Sequence, residues 1–168
     1  MKKIFMLSAL FVSFGLGSFA HAANGPINCA IKTFNGRYVT AVGGGGRTTD
    51  VIHTDATRMG AWEKFQLIDS NSGTPIIQYG IKTSKGNYLT AVGGGGRITD
   101  VIHSDATRLL GWEKFTFISQ GNGWYAIKTA TGNYVTAVGG GGRITDVIHT
   151  DATAIGNWEK FRLICWPL

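Results

Sequence analysis

The chain has 168 residues, of which 43% are hydrophobic, 15% charged and 25 are glycine, with a formal charge of +6. So few charges beside 11% aromatic residues exclude a disordered tail, and three prolines with no glycine at every third position exclude collagen. What remains is one globular domain rich in turns.

Lys2 and Lys3 precede an apolar stretch over residues 4–20, which ends in Ala20-His21-Ala22. This order of charge, apolar run and small residues predicts a secretory signal peptide over residues 1–22. Cleavage near Ala22 would release a secreted or periplasmic chain of residues 23–168. No later run approaches the ~20 apolar residues that span a bilayer, so no membrane span is expected. Loss of Lys2 and Lys3 lowers the formal charge to +4. The remaining basic residues, such as Lys32, Arg47 and Lys64 in the first third, are dispersed among acids. No basic run exists to follow a phosphate backbone, which excludes a nucleic-acid partner.

A threefold repeat follows. Residues 29–69, 79–119 and 125–165 align without gaps, each reading A-I-K-T, a turn, Y-V-T-A-V, G-G-G-G-R, I-T-D-V-I-H-T-D-A-T and W-E-K-F with small changes. In the first unit, residues 30–33 and 38–42 are short β-branched segments that read as strands, joined by a turn at Asn35-Gly36. Lys85-Gly86 and Thr131-Gly132 are its counterparts. A third strand is expected over residues 49–53 and a fourth over 62–68. The run Gly43 to Gly46 between them marks a loop, because glycine has the largest ordering cost and buries no side chain. Three units of four strands must share one core. The predicted fold is therefore all-β, a single β-trefoil over 23–168, because a propeller normally needs at least four blades to close.

Cys29 begins the first unit where the others have Tyr79 and Tyr125, and Cys165 ends the last where the others have Asp69 and Ser119. In a closed threefold barrel the first and last strands pair. Export supplies an oxidising compartment, so a Cys29–Cys165 disulfide is expected.

The pairs Gly36-x-Tyr38-Val39-Thr40-Ala41 with Trp62-Glu63-x-Phe65, and their copies at Gly86 with Trp112 and at Gly132 with Trp158, resemble the repeat signature of fascin-like β-trefoils. The family includes actin-bundling proteins, and similar modules are attached to secreted bacterial polysaccharide-degrading enzymes. The resemblance implies a trefoil and, for function, either attachment to a polysaccharide or a protein contact. This chain departs from the bundling members in carrying one trefoil and a run of four glycines.

The stretch from the glycine run to D-A-T varies among the copies at only two positions, whereas the segment before W-E-K-F is looser. Such fidelity in a polar, loop-like stretch predicts a site present three times; uneven drift, or a turn that demands these residues, would give the same pattern. The candidate residues are Gly44, Gly45, Arg47, Asp50, His53 and Asp55 in the first unit. Their counterparts are Gly94, Gly95, Arg97, Asp100, His103 and Asp105, then Gly140, Gly141, Arg143, Asp146, His149 and Asp151. Glycine amides and the guanidinium donate, carboxylates accept, and imidazole does both, a mixture suited to sugar hydroxyls.

Tyr38, Tyr88, Tyr134, Trp62, Trp112 and Trp158 lie in strand patterns and are expected in the core, which leaves the site without an aromatic face. Glu63-Lys64 and its copies are expected to be solvated or bonded to a turn. Alternation leaves the histidines open, since His53 points inward with Val51 or outward if Ile52 points inward. Asp55 and its copies precede Ala-Thr, where a carboxylate can cap a turn.

The D-x-x-H-x-D spacing matches no metal motif, so no metal and no cofactor are expected. Every polar candidate is triplicated, whereas a hydrolase needs a unique constellation, so no enzymatic activity is expected. These readings converge on a secreted carbohydrate-binding module whose three sites engage a multivalent glycan. The rival reading is a protein-interaction module for actin or another host or envelope protein, and a third is a scaffold acting through the unrepeated loop 70–78.

Overall fold

A computed structural model describes residues 25–70 and 77–167. The expected signal peptide and most of loop 70–78 lie outside them. The chain forms β1 (Ile27–Lys32), β2 (Tyr38–Ala41), β3 (Ile52–Ala56), β4 (Lys64–Asp69), β5 (Gln78–Lys82), β6 (Tyr88–Ala91), β7 (Ile102–Ala106), β8 (Lys114–Ser119), β9 (Trp124–Lys128), β10 (Tyr134–Ala137), β11 (Ile148–Ala152) and β12 (Lys160–Trp166).

Strands β1, β4, β5, β8, β9 and β12 pair antiparallel in that order, and β12 returns to β1. That closes a six-stranded barrel without a free edge. The hairpins β2–β3, β6–β7 and β10–β11 complete the three units of a β-trefoil.

The core follows from period-two alternation. Phe65, Phe115 and Phe161 occupy the same position in β4, β8 and β12 and are almost wholly buried. Ile31, Ile81 and Ile127 meet them from β1, β5 and β9, and Val39, Leu89 and Val135 descend from the hairpins. Around the pseudo-threefold axis they leave an apolar cavity of only about 40 Å³. A lining without polar partners keeps such a space dry. Removing one of these phenylalanines would cost about 3–5 kcal/mol.

Closure brings Cys29 directly opposite Cys165 in the β1–β12 ladder, with Cα atoms 4.0 Å apart, and the two form a disulfide. The expected turns are present: the Gly36, Gly86 and Gly132 amides bond Thr33, Thr83 and Thr129 carbonyls, with φ of 78°, 89° and 95°.

Several strand limits differ from the sequence reading, and two of the shifts have a clear local cause. The third strand starts at Ile52 rather than residue 49, because Asp50 takes a left-handed φ of 48° that no strand accommodates. The fourth starts at Lys64 rather than residue 62, because Glu63 is drawn inward by two hydrogen bonds and Trp62 is left on the preceding turn.

Candidate functional site

Each glycine run lies in a seam between units. The carbonyl of Gly44 accepts from the Lys85 amide, that of Gly94 from Thr131 and that of Gly140 from Asn35, each at 3.0 Å. Gly46 donates to the Ser104 carbonyl and Ser104 returns a bond to Arg47; Gly96–Arg97 with Thr150 and Gly142–Arg143 with Thr54 repeat the exchange. Unit one thus grips unit two, two grips three, and three grips one.

The fit demands glycine. At Gly45 (φ 105°) a Cβ would run into the Thr83 side chain; at Gly95 it would meet Thr129, and at Gly141 Thr33. The glycine amides are correspondingly not the open donors expected from sequence. Gly45 bonds Val42 within its own turn, Gly46 bonds Ser104, and Gly44 and Gly45 are buried. At the third position of each run the faithful duplication of glycine is a packing requirement.

The polar residues after the glycines do come together. Asp50 Oδ1 lies 2.6 Å from His53 Nε2, and Asp50 Oδ2 accepts from Arg47 Nη2 at 3.4 Å. Arg47 Nε donates to the Thr49 carbonyl, which folds the guanidinium over the bend. Asp100 with Arg97 and His103, and Asp146 with Arg143 and His149, repeat the arrangement within 0.1 Å. Asp50, Asp100 and Asp146 share φ of 48–49°, a region that aspartate tolerates better than most residues.

A carboxylate only accepts, so His53 Nε2 carries the proton of this bond. His53 therefore points outward, with Ile52 inward. Half of the Asp50 side chain stays exposed. Exposed pairs of this kind add little stability, on the order of 0–1 kcal/mol, and their effect is to hold groups in fixed positions.

Asp55, Asp105 and Asp151 do not join these clusters. They lie within a register shift, where two residues of the third strand face one of the second, and their carboxylates are exposed. Their backbone carbonyls have structural use, since Asn87 and Asn133 donate to Asp105 and Asp151.

The tryptophans overturn the expectation of a core role. Trp62, Trp112 and Trp158 are 49%, 52% and 49% exposed. Glu63 explains why: it is buried, accepts from the Thr40 hydroxyl at 2.7 Å and from the Gly60 amide at 2.7 Å, and so turns its neighbour outward. The same bonds hold Glu113 and Glu159. Glu63 is thus bonded to a turn, as one expected alternative had it, and is not solvated. The tyrosines are only half-buried, with the ammonium groups of Lys32, Lys82 and Lys128 lying 4.5, 5.7 and 5.7 Å from the ring centres of Tyr38, Tyr88 and Tyr134.

Two of the exposed indoles border a glycine seam. Trp62 Cδ1 stands 3.4 Å from where a Gly44 Cβ would project, and Trp112 stands at the same distance from Gly94. One residue earlier, the Arg47 guanidinium lies 3.8 Å from the corresponding point at Gly43. A strip of aromatic face, bare backbone, guanidinium, carboxylate and imidazole results. Among the described residues no group of three metal-ligating side chains occurs, and no helix is long and apolar enough to cross a membrane.

No protein-family model matches the chain, and no curated protein matches it. Solved structures do. A designed threefold-symmetric protein, ThreeFoil, superposes with a TM-score of 0.67 at 12% identity, covering 82% of this chain and 97% of that one. An exo-β-1,3-galactanase from Clostridium thermocellum gives 0.68 at 14% identity over 86% of this chain, which spans only 31% of the galactanase. SeviL, solved bound to asialo-GM1 saccharide, gives 0.59 at 16% identity, with 83% of this chain and 98% of SeviL covered. At these identities the likeness establishes the fold.

Proposed function

We propose that this chain is a secreted, non-enzymatic carbohydrate-binding module with three pseudo-equivalent sites, each built from an exposed tryptophan and the Arg–Asp–His cluster beside it. The observation that carries the reading is the exposure of Trp62, Trp112 and Trp158, the first two beside glycine seams. Sugar sites pair an apolar face with a few fixed polar groups, and an indole supplies that face.

In the first site the indole of Trp62 stacks on the apolar face of a pyranose. Asp50, pinned by Arg47 and His53, accepts from a hydroxyl with its free lone pairs, and the unused guanidinium donors and His53 Nδ1 serve its neighbours. The Gly43 backbone lets the ring approach. Sites around Trp112 and Trp158 act alike, and three weak sites on one rigid body raise avidity for a multivalent glycan. SeviL was solved with a saccharide bound and the Clostridium thermocellum protein is an exo-β-1,3-galactanase, which is consistent with this reading.

A glycan array followed by calorimetry tests it. Binding near three sites per chain, weakened stepwise by Trp62→Ala, Trp112→Ala and Trp158→Ala, is expected. Silence across plant, bacterial and host glycans, with co-sedimentation on actin filaments instead, would replace this reading with the protein-interaction one.

A further inference from the structure

The clusters just described are alike in all three units, but the barrel surface at the seams is not. Between units one and two lies a groove of about 520 Å³ whose walls include Asn28, Lys64, Gln66, Lys82, Ser84 and Trp166. No acidic residue lines it, and among the described residues neither lysine pairs with a carboxylate. Gln66 donates to Asn28 at 3.3 Å, so the floor is an amide pair.

At the seam between units three and one, the positions of Asn28, Gln66 and Ser84 are taken by Trp124, Arg162 and Phe34. There the Arg162 guanidinium lies 4.5 Å over the Trp124 ring, and Phe34 packs on that ring at 5.5 Å. Those side chains contact one another across the equivalent surface. The first seam carries amides and a hydroxyl in their place.

Where Trp166 follows its unit the other two have Ser70 and Gln120, and the disulfide sets its place. It stands opposite Asn28 in the β1–β12 ladder and directly follows Cys165, which is bonded to Cys29. The groove therefore combines an indole, hydrogen-bonding amides and two ammonium groups without a carboxylate partner, that of Lys82 lying 5.7 Å from the Tyr88 ring centre, within the size range of small-ligand sites.

We propose that this groove binds one carboxylated sugar residue of the uronate type, its carboxylate held by Lys64 and Lys82 and its ring against Trp166. Asn28, Gln66 and Ser84 then meet the ring hydroxyls. Arg47, Asp50 and His53 do not line the groove, so this site stands or falls separately from the three neutral-sugar sites.

Amide and indole NMR titration of the folded, disulfide-bonded chain tests the proposal, with sodium glucuronate as probe and glucose and sodium acetate at equal ionic strength as comparisons. Glucuronate should shift the Trp166 indole and the backbone around Lys64–Gln66 and Lys82–Ser84, saturating at one site per chain. Glucose and acetate should each bind about tenfold more weakly, since each lacks half of the recognition. Lys64→Gln with Lys82→Gln, and separately Trp166→Ala, should weaken glucuronate by a similar factor while amide spectra elsewhere stay folded. Equal binding of acetate, shifts centred on Arg47 and His53, or indifference to all three substitutions would each overturn it. Loss of neutral-glycan binding in the Trp62→Ala series leaves this result untouched.

Discussion

The Thr40 hydroxyl donates to the buried Glu63 carboxylate at 2.7 Å, across 23 residues of sequence, and the bond recurs from Thr90 to Glu113 and from Thr136 to Glu159. It ties the second strand of each unit to the turn before the fourth, and that turn carries the exposed tryptophan.

Thr40→Val keeps the shape and removes the donor, leaving a buried carboxylate oxygen short of a partner. A loss of about 1–3 kcal/mol in denaturant unfolding is expected. Thr90→Val and Thr136→Val should cost similar amounts, and wild-type stability in all three would remove this bond from the account of why the tryptophans face outward.

Glycines at different positions of the runs should not be equivalent. Gly45→Ala places a methyl group against Thr83 at a φ of 105°, so steric overlap and backbone strain add. Its cost should reach about 2–4 kcal/mol by thermal unfolding. At Gly142, where nothing lies within 4 Å of a Cβ, only the strain of a φ of 88° applies, so Gly142→Ala should lose about 1–2 kcal/mol. Equal losses would mean that the seam yields to an added methyl.

The Cys29–Cys165 bond joins positions 136 residues apart. In the chain-entropy treatment a loop of that length stabilises by up to about 5 kcal/mol, although enthalpic terms contribute as well. Cys29→Ser with Cys165→Ser should lower the unfolding midpoint strongly. Intact mass should rise by about two daltons on reduction, the two hydrogens taken up by one broken S–S bond.

Much of this molecule is legible in its amino-acid order. The pairing of Cys29 with Cys165 followed from closing the repeats into a barrel, while the threefold repeat, the strand count and the hairpin turns at Asn35-Gly36 and its copies rest on spacing and local turn chemistry. Those signals survive without knowledge of what packs against them. Tertiary contacts settled the rest. Trp62 shares a strand-like pattern with Phe65, and only the burial of Glu63 by Thr40 and the Gly60 amide turns that indole to solvent.

Likewise, four glycines suit equally well a ligand-binding loop or a close backbone approach. Thr83, 38 residues beyond Gly45, decides for the approach at that position. The left-handed φ of Asp50 moves the third strand three residues along and turns His53 outward onto the carboxylate. The repeated order of residues thus determined the architecture, because periodicity and turns are local properties. Which faces met water was decided by partners distant in the chain, which no local pattern specifies.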